Sequence, residues 1–359
     1  MGLRLSFPSL TSAQNREGTL RSFAIAATLS LLATSAVAQQ DFYAGKQINM
    51  LIGSSVGGGY DAYARLVIRH LPKHIPGRPN IVGQNMPAAG SLVAMNVIAN
   101  TAPRDGLTIG AVQTHIGVEP IMGVTGPASN AKYDGRKMNW LGSTAKEFPV
   151  VVMWHKSGIT NFKQLMEKEV IVGASGVATS DAVYARVMNE LIGTKFRLID
   201  GYKGNPEMIL ATEQGEMAGR AGWFLSSLLS TQKAPLDDGR LKLIAQVALE
   251  KHPNLPNVPL VGEFLDSPEK KKLLDFSLSW LPMGRPFVAP PDVPAERVKI
   301  LREAFMKAMK DPELLAEAEK QNLEIMPMSG EEINTLLDRL YATPKDVVDK
   351  VREIMLPKK

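Results

Sequence analysis

Short apolar runs at period two alternate with segments of helical period along most of this chain, and that alternation admits few folds. Ile48, Met50 and Ile52 place three apolar side chains on one face of a strand. Tyr60, Ala64, Val67, Ile68 and Leu71 then recur at helical spacing. A strand at 80–86, a helix at 91–100 and a strand at 107–112 continue the series. A second series follows: strand 170–174, helix 181–192, strand 196–199, helix 207–213, and strands near 216–221 and 241–247. Elements in this order predict an α/β fold built from βαβ units, with mainly parallel sheets.

The last third is helical. Ser267-Pro268-Glu269 opens a helix with Ser as N-cap and Pro at the first position. Val298, Leu301, Phe305 and Met309 form one stripe, Asp311-Pro312 starts the next helix, and Ser329-x-x-Glu332 is a capping box. So thin a stripe cannot hold a free-standing bundle, so these helices are expected on the sheet of the first series. Two extended-looking, partly apolar segments, 140–154 and 276–289, separate the blocks. If both cross, the chain builds two lobes with a hinge and a cleft between them. Residues 39–145 with 277–359 form lobe one in this reading, and 146–276 form lobe two.

Residues 1–38 stand apart. Arg4, Arg16 and Arg21 face one acid, Glu17; an apolar stretch at 23–32 follows, and then Ala36-Val37-Ala38. A basic n-region, a short h-region and an A-x-A site predict a cleaved secretory signal peptide, too short for a membrane span. The mature chain is expected to begin near Gln39, soluble and extracytoplasmic. Its loss takes the formal charge from +5 to about +3, with both signs interspersed, so nucleic acid is not an expected partner. Zero cysteines exclude a disulfide framework, thiolate catalysis and Cys-ligated metal. About 320 mature residues suffice for two domains with separate cores.

The strongest local signal is Gly53-Ser54-Ser55-Val56-Gly57-Gly58-Gly59-Tyr60-Asp61, between the first strand and the first helix. Three consecutive glycines let backbone approach a ligand, and the first amides of the helix form an anion site. Ser54 and Ser55 add hydroxyl donors, whereas Asp61 is expected to fix the loop. Gly57-x-Gly59-x-x-Ala62 also fits a dinucleotide fingerprint, but the second strand runs into Gln84-Asn85-Met86-Pro87 and lacks the ribose-binding acid. Gly53-x-Ser55-x-Gly57 fits a nucleophile elbow, with His252 downstream as a base, although the elbow would fall on the first strand of the mature chain. His70 and His74 could suggest a metal pair; Pro72 between them makes surface histidines at a helix end the expectation, and no metal.

An analogous turn occurs later. Val172-Gly173-Ala174-Ser175-Gly176 runs into Val177-Ala178-Thr179-Ser180-Asp181 and a helix. A helix start from each lobe, facing one cleft, would clamp an acid group.

These motifs, with Asn85-Met86-Pro87-Ala88-Ala89-Gly90, Pro103-Arg104-Asp105-Gly106, Gly201-Tyr202-Lys203-Gly204, Leu255-Pro256-Asn257-Val258-Pro259 and Ala289-Pro290-Pro291-Asp292-Val293-Pro294, come in an order that resembles the Bug (TctC-like) family from about Phe42 to the C-terminus. Its members are periplasmic solute receptors of tripartite tricarboxylate transporters. The resemblance implies a two-lobed periplasmic-binding-protein (type II-like) fold. It also implies that the ligand carboxylate meets Ser54, Ser55, Val56, Gly57, Gly58 and Gly59, with Asp61 beside them. Ser175, Gly176, Thr179 and Ser180 are the lobe-two counterparts, and Tyr202 lies on a third cleft segment. The first loop often carries two prolines where this chain has Ser55-Val56, and the second often ends in histidine where this chain has Asp181; both departures bear on ligand identity.

Gly219-Arg220-Ala221-Gly222-Trp223 and Gly284-Arg285-Pro286 stand outside the common pattern. In one reading Arg220 or Arg285 reads a second carboxylate bidentately, with Trp223 as an apolar wall. In the other, each arginine sits in a surface or interlobe ion pair. The expected whole is a monomeric receptor without cofactor or catalysis that closes on a small carboxylate and then docks on integral membrane transporter subunits. The alternatives are an exported serine hydrolase using Ser55, and a binding protein that signals to a sensor.

Overall fold

The computed structural model describes residues 1–3, 42–123, 130–177 and 179–356. Beyond its first three residues, the stretch read as a signal peptide lies outside them. Strands β1 (Gln47–Ile52), β2 (Asn80–Asn85), β3 (Thr108–Ala111) and β4 (Asn139–Ser143) come first. Next are β5 (Pro149–Trp154), β6 (Val170–Gly173), β7 (Phe196–Ile199), β8 (Gly219–Phe224) and β9 (Leu241–Gln246), and then β10 (Pro286–Ala289) and β11 (Met328–Ser329). They form two sheets, ordered β11-β4-β10-β3-β1-β2 and β7-β6-β8-β5-β9.

β1, β2 and β3 run parallel, as do β6, β7 and β8. The expectation of mainly parallel sheets fails beyond them. β5 pairs antiparallel with β8 and β9, and β10 with β3 and β4. Both are the strands that arrive from the other sheet, and each inserts between existing strands against their direction. The chain therefore passes between sheets twice, from β4 to β5 and from β9 to β10. The second passage is less extended than its composition suggests: helix Pro268–Leu278 and a 3-10 turn at Leu281–Met283 precede β10. Helix Leu225–Asp237 is not legible in the sequence, because non-helical Gln232 and Pro235 break its period.

Ile48, Met50 and Ile52 are fully buried, together with Val67, Leu301 and Phe305, on one side of the first sheet. A second apolar cluster runs from Met95 and Trp140 into Val172 and Val187, so it joins both sheets and the cores are not separate. The last helix explains part of this. Helices Ala295–Ala308 and Gly330–Tyr341 pack on β4 as expected, but Lys345–Met355 packs on helices Ser180–Ile192 and Pro268–Leu278, burying Val347, Val351 and Met355 against them.

His70 and His74 are not free surface groups. Nε2 of His70 lies 2.6 Å from Glu317 Oε2, and Nε2 of His74 lies 2.6 Å from Asp311 Oδ2. Both acids come from the helix Pro312–Lys320 or its N-cap, far away in sequence.

Candidate ligand-binding cleft

β1 delivers its loop to the cleft through Gly53, whose N–H donates to Ala111 O at 2.9 Å and whose carbonyl accepts from Ser91 Oγ at 2.8 Å. A side chain here has no room, since a Cβ would lie 2.3 Å from Ser91 Oγ. Ala89, Gly90 and Ser91 all have positive φ, a costly run that presses Ser91 into this place. Asp61 is buried and holds the loop from behind. Its carboxylate accepts from Gly57 N–H at 3.0 Å, Arg65 Nε at 3.0 Å and Asn85 Nδ2 at 2.9 Å, and Asn85 Nδ2 also donates to Ser54 O. Burial opposes its charge, but hydrogen bonds from Arg65, Asn85 and the Gly57 amide outweigh burial and hold the carboxyl below its usual range.

The second loop repeats this plan. Thr179 N–H and Oγ1 both donate to Gly176 O, and Asp181, next but one in the chain, is buried against Arg220. Arg220 Nε donates to Asp181 Oδ1 at 3.0 Å, Nη2 donates to Asp181 Oδ2, and Nη1 donates to Asn205 Oδ1 at 2.8 Å. Helices Gly59–His70 and Ser180–Ile192 thus each carry a buried aspartate in the first turn, paired with an arginine of the same lobe.

The two loops open on one cleft of about 770 Å³, a usual size for a small-molecule site. Ser54, Ser55, Val56, Gly58 and Gly59 line one side, and Ser175, Thr179, Ser180 and Tyr202 line the other. Gly57, Asp61 and Gly176 are not part of the lining; they take part in the hydrogen bonds that fix the two loops. Gly58, Thr179 and Gly204 are the N-caps of helices Gly59–His70, Ser180–Ile192 and Asn205–Gln214, and none supplies a side-chain cap. Ser267, Asp311 and Ser329, away from the cleft, do cap their helices. Three helix starts without a side-chain cap therefore present backbone amides and positive dipole ends at the same cleft. The hydroxyl of Ser54 is also buried without a partner among the described residues.

Arg285 lines the cleft and is almost fully buried. Its Nε donates to Glu147 Oε1, its Nη2 donates to Ser226 Oγ at 2.7 Å and Ser227 Oγ at 2.9 Å, and its Cζ lies 4.0 Å from the Tyr60 ring centroid. Burial raises the Glu147 carboxyl, against the opposing pull of the guanidinium and of Ser226. Glu147 and Arg285 lie on the two passages between sheets, which also bond directly: Thr144 N–H donates to Arg285 O and Arg285 N–H to Ala145 O. Trp223 lines the cleft, and Arg220 Cζ lies 4.1 Å from its ring centroid.

Sequence reasoning missed other parts of the lining. Pro87, Ala88 and Ala89 form a wall, as do Gly204, Pro206 and Leu210. The Asn85-Met86-Pro87-Ala88-Ala89-Gly90 motif was the available signal for the first wall; Leu210, an apolar residue on an exposed face, has none. His252, the base available to a hydrolase, does not line this cleft: it is buried, with Nε2 2.9 Å from Glu324 Oε2.

The family model described as "Tripartite tricarboxylate transporter family receptor" (TctC) matches residues 64–352. The chain belongs to the TctC family. A curated relative, the UPF0065 protein in the gbd 5' region of Cupriavidus necator, is 25% identical over 339 residues, which cover 91% of this chain and 94% of that protein. The solved periplasmic binding protein BugD superposes with a TM-score of 0.67 at 16% identity, over 88% of this chain and 100% of its own. An R. palustris protein with adipate gives a TM-score of 0.66 at 16% identity, over 86% of this chain and 97% of its own. The TctC chain thus has the two-lobed periplasmic-binding-protein fold, and TctC proteins are periplasmic solute-binding receptors.

Proposed function

We propose that this TctC protein is an extracytoplasmic receptor that captures a small carboxylate by lobe closure and delivers it to the integral membrane subunits of a tripartite tricarboxylate-type transporter. The reading rests on the three uncapped helix starts that open from both lobes onto one cleft. Ser54, Ser55, Gly58 and Gly59 take the acid group from lobe one, and Ser175, Thr179 and Ser180 take it from lobe two. Val56 and Tyr202 form walls, and Arg285 forms the floor. Hydrogen bonds to a charged group contribute about 1.5–3 kcal/mol each, so four or five of them offset ordering costs and reach the roughly 8 kcal/mol of micromolar binding. Lobe one is residues 39–145 with 277–359, lobe two is 146–276, and the 1–38 leader is removed on export to the periplasm. The mature protein acts as a monomer and catalyses nothing; the second part is supported by His252, which is buried on Glu324 and does not line the cleft with Ser55.

The adipate held by the R. palustris relative is consistent with this class of ligand. Thermal-shift screening of the mature protein against a carboxylate panel tests the reading. Stabilisation that grows with ligand concentration and involves no turnover supports it. Covalent labelling of Ser55 by a serine-hydrolase probe would replace it with the enzyme alternative.

A further inference from the structure

The first ligand loop is held by Asp61 and by Asn85, whose Nδ2 donates to Ser54 O at 2.9 Å. A carbonyl of the second loop is held in the same way, by a side chain that is not part of the cleft lining. Arg186 Nη2 donates to Val177 O, and Ser175 and Thr179 on either side of Val177 line the cleft. Arg186 stands in the second turn of helix Ser180–Ile192. The other ties of this loop, Thr179 to Gly176 and Arg220 to Asp181, are made within the lobe. Arg186 also reaches beyond it: its Nε donates to Met355 O, 2.5 Å away, at the end of helix Lys345–Met355.

That helix follows lobe one in chain order. Three residues before Met355, Arg352 Nε donates to Met122 O at 3.1 Å, and its Nη2 donates to Ile121 O. Ile121 and Met122 lie on the short helix Glu119–Met122, between β3 and β4. The last turn of helix Lys345–Met355 therefore holds a lobe-one segment at one residue and the second ligand loop at another. A guanidinium suits the second tie. Its planar fork serves two carbonyls at once, whereas lysine brings a single nitrogen. A carbonyl in the last turn of a helix lacks an intrahelical partner and sits at the negative end of the dipole, where a cation is favoured. Burial lowers the Arg186 guanidinium to about 10, which leaves it charged at neutral pH.

Resting on the carboxylate reading above, we infer that Arg186 is a positioning residue for the ligand site. It couples the last turn of helix Lys345–Met355 to the second loop, and so sets how firmly Ser175 and Thr179 hold the acid group. Without this tie the Val177 carbonyl turns to water and the loop samples more conformations, and binding must then order it at an entropic cost.

Arg186→Met keeps an apolar stem and removes both donors. Hydrogen–deuterium exchange of the unliganded mature protein reads the loop, and calorimetric titration with adipate and with hexanoate reads the ligand. Peptides covering residues 175–179 are expected to exchange at least fivefold faster, with affinity at least fivefold lower and a melting temperature within a few degrees of the parent. Arg186→Lys should recover part of both losses. Val347→Ala is the control, since it opens a cavity about two turns earlier on the same buried face. It is expected to lower the melting temperature while exchange of the loop and affinity stay within twofold of the parent.

Parental exchange and affinity in Arg186→Met overturn the inference. So does Val347→Ala if it reproduces both effects, because the loop would then follow the docking of the whole helix. Should Arg186→Met not fold, Arg186→Lys carries the test: a smaller rise in loop exchange is expected, and parental exchange overturns the inference. If neither acid binds the parent, the titration uses whichever acid the thermal-shift panel identifies. Silence across that panel removes the carboxylate reading, while exchange of the loop still decides the role of Arg186.

Discussion

Gly59, the first residue of its helix in lobe one, stands so close to Ser227 of lobe two that a methyl group on Gly59 would lie 2.1 Å from Ser227 Oγ and 3.0 Å from Arg285 Nη2. The same hydroxyl accepts from that guanidinium at 2.9 Å. Gly59 is thus a point where the lobes touch. Gly59→Ala must either turn Ser227 off Arg285 or hold the lobes apart. Carboxylate affinity is expected to fall roughly tenfold while the melting temperature changes by only a few degrees, and Gly59→Ala with Ser227→Ala should recover part of the loss. Calorimetric titration of the three variants checks this.

The Glu147–Arg285 pair joins the two passages between sheets in a fully buried setting. Glu147→Gln leaves the guanidinium without its counter-ion, and breaking such a pair costs roughly 3–5 kcal/mol. Urea unfolding is expected to register that loss. Glu147→Leu with Arg285→Met removes both charges and is expected to be far less destabilised than the single variant.

Asp61 acts on the ligand through the loop. Asp61→Ala frees the Gly57 amide, leaves Asn85 held only by Ser54 O and Arg65, and removes three hydrogen bonds. A loss of about 1–3 kcal/mol in stability is expected, along with a fall in affinity that Asp61→Asn, which keeps an acceptor, partly avoids. Parallel unfolding and binding curves separate the two effects.

Asp311 caps its helix by accepting from Glu313 N–H at 2.9 Å, and it meets Lys73 Nζ and His74 Nε2, each at 2.6 Å. Burial opposes its charge, but Lys73, the Glu313 amide and His74 outweigh burial and hold the carboxyl well below the usual carboxylate range. A depressed acid contributes stability that is present above the unfolded value and is lost as pH falls through the folded one. Asp311→Asn keeps a cap and removes the charge. Its melting temperature is expected to lie roughly 1–3 °C below that of the parent at pH 6, with the gap narrowing below about pH 4. Thermal scans from pH 3 to 7 measure it.

Much of the fold could be read without coordinates, because strand alternation and helix caps are local signals. β1, β6 and β9 fall where period and flanking glycines put them, and Ser267, Asp311 and Ser329 cap the helices they precede. The glycine loop after β1 and the turn after β6 were visible for the same reason: a strand, small residues and then a helix leave amides exposed whatever surrounds them.

What the chain order determined by itself was therefore a set of elements, their ends, and two backbone turns suited to an anion. The reversed insertion of β5 and β10, the docking of the last helix on lobe two, and the partners of His70, His74, Arg220 and Arg285 were decided only by the tertiary structure. Each joins residues from distant parts of the chain, and no periodicity within either segment carries the other's position. Whether an arginine near a cleft is free for a ligand depends on which carboxylate the fold brings beside it. Here the fold brings Asp181 to Arg220 and Glu147 to Arg285.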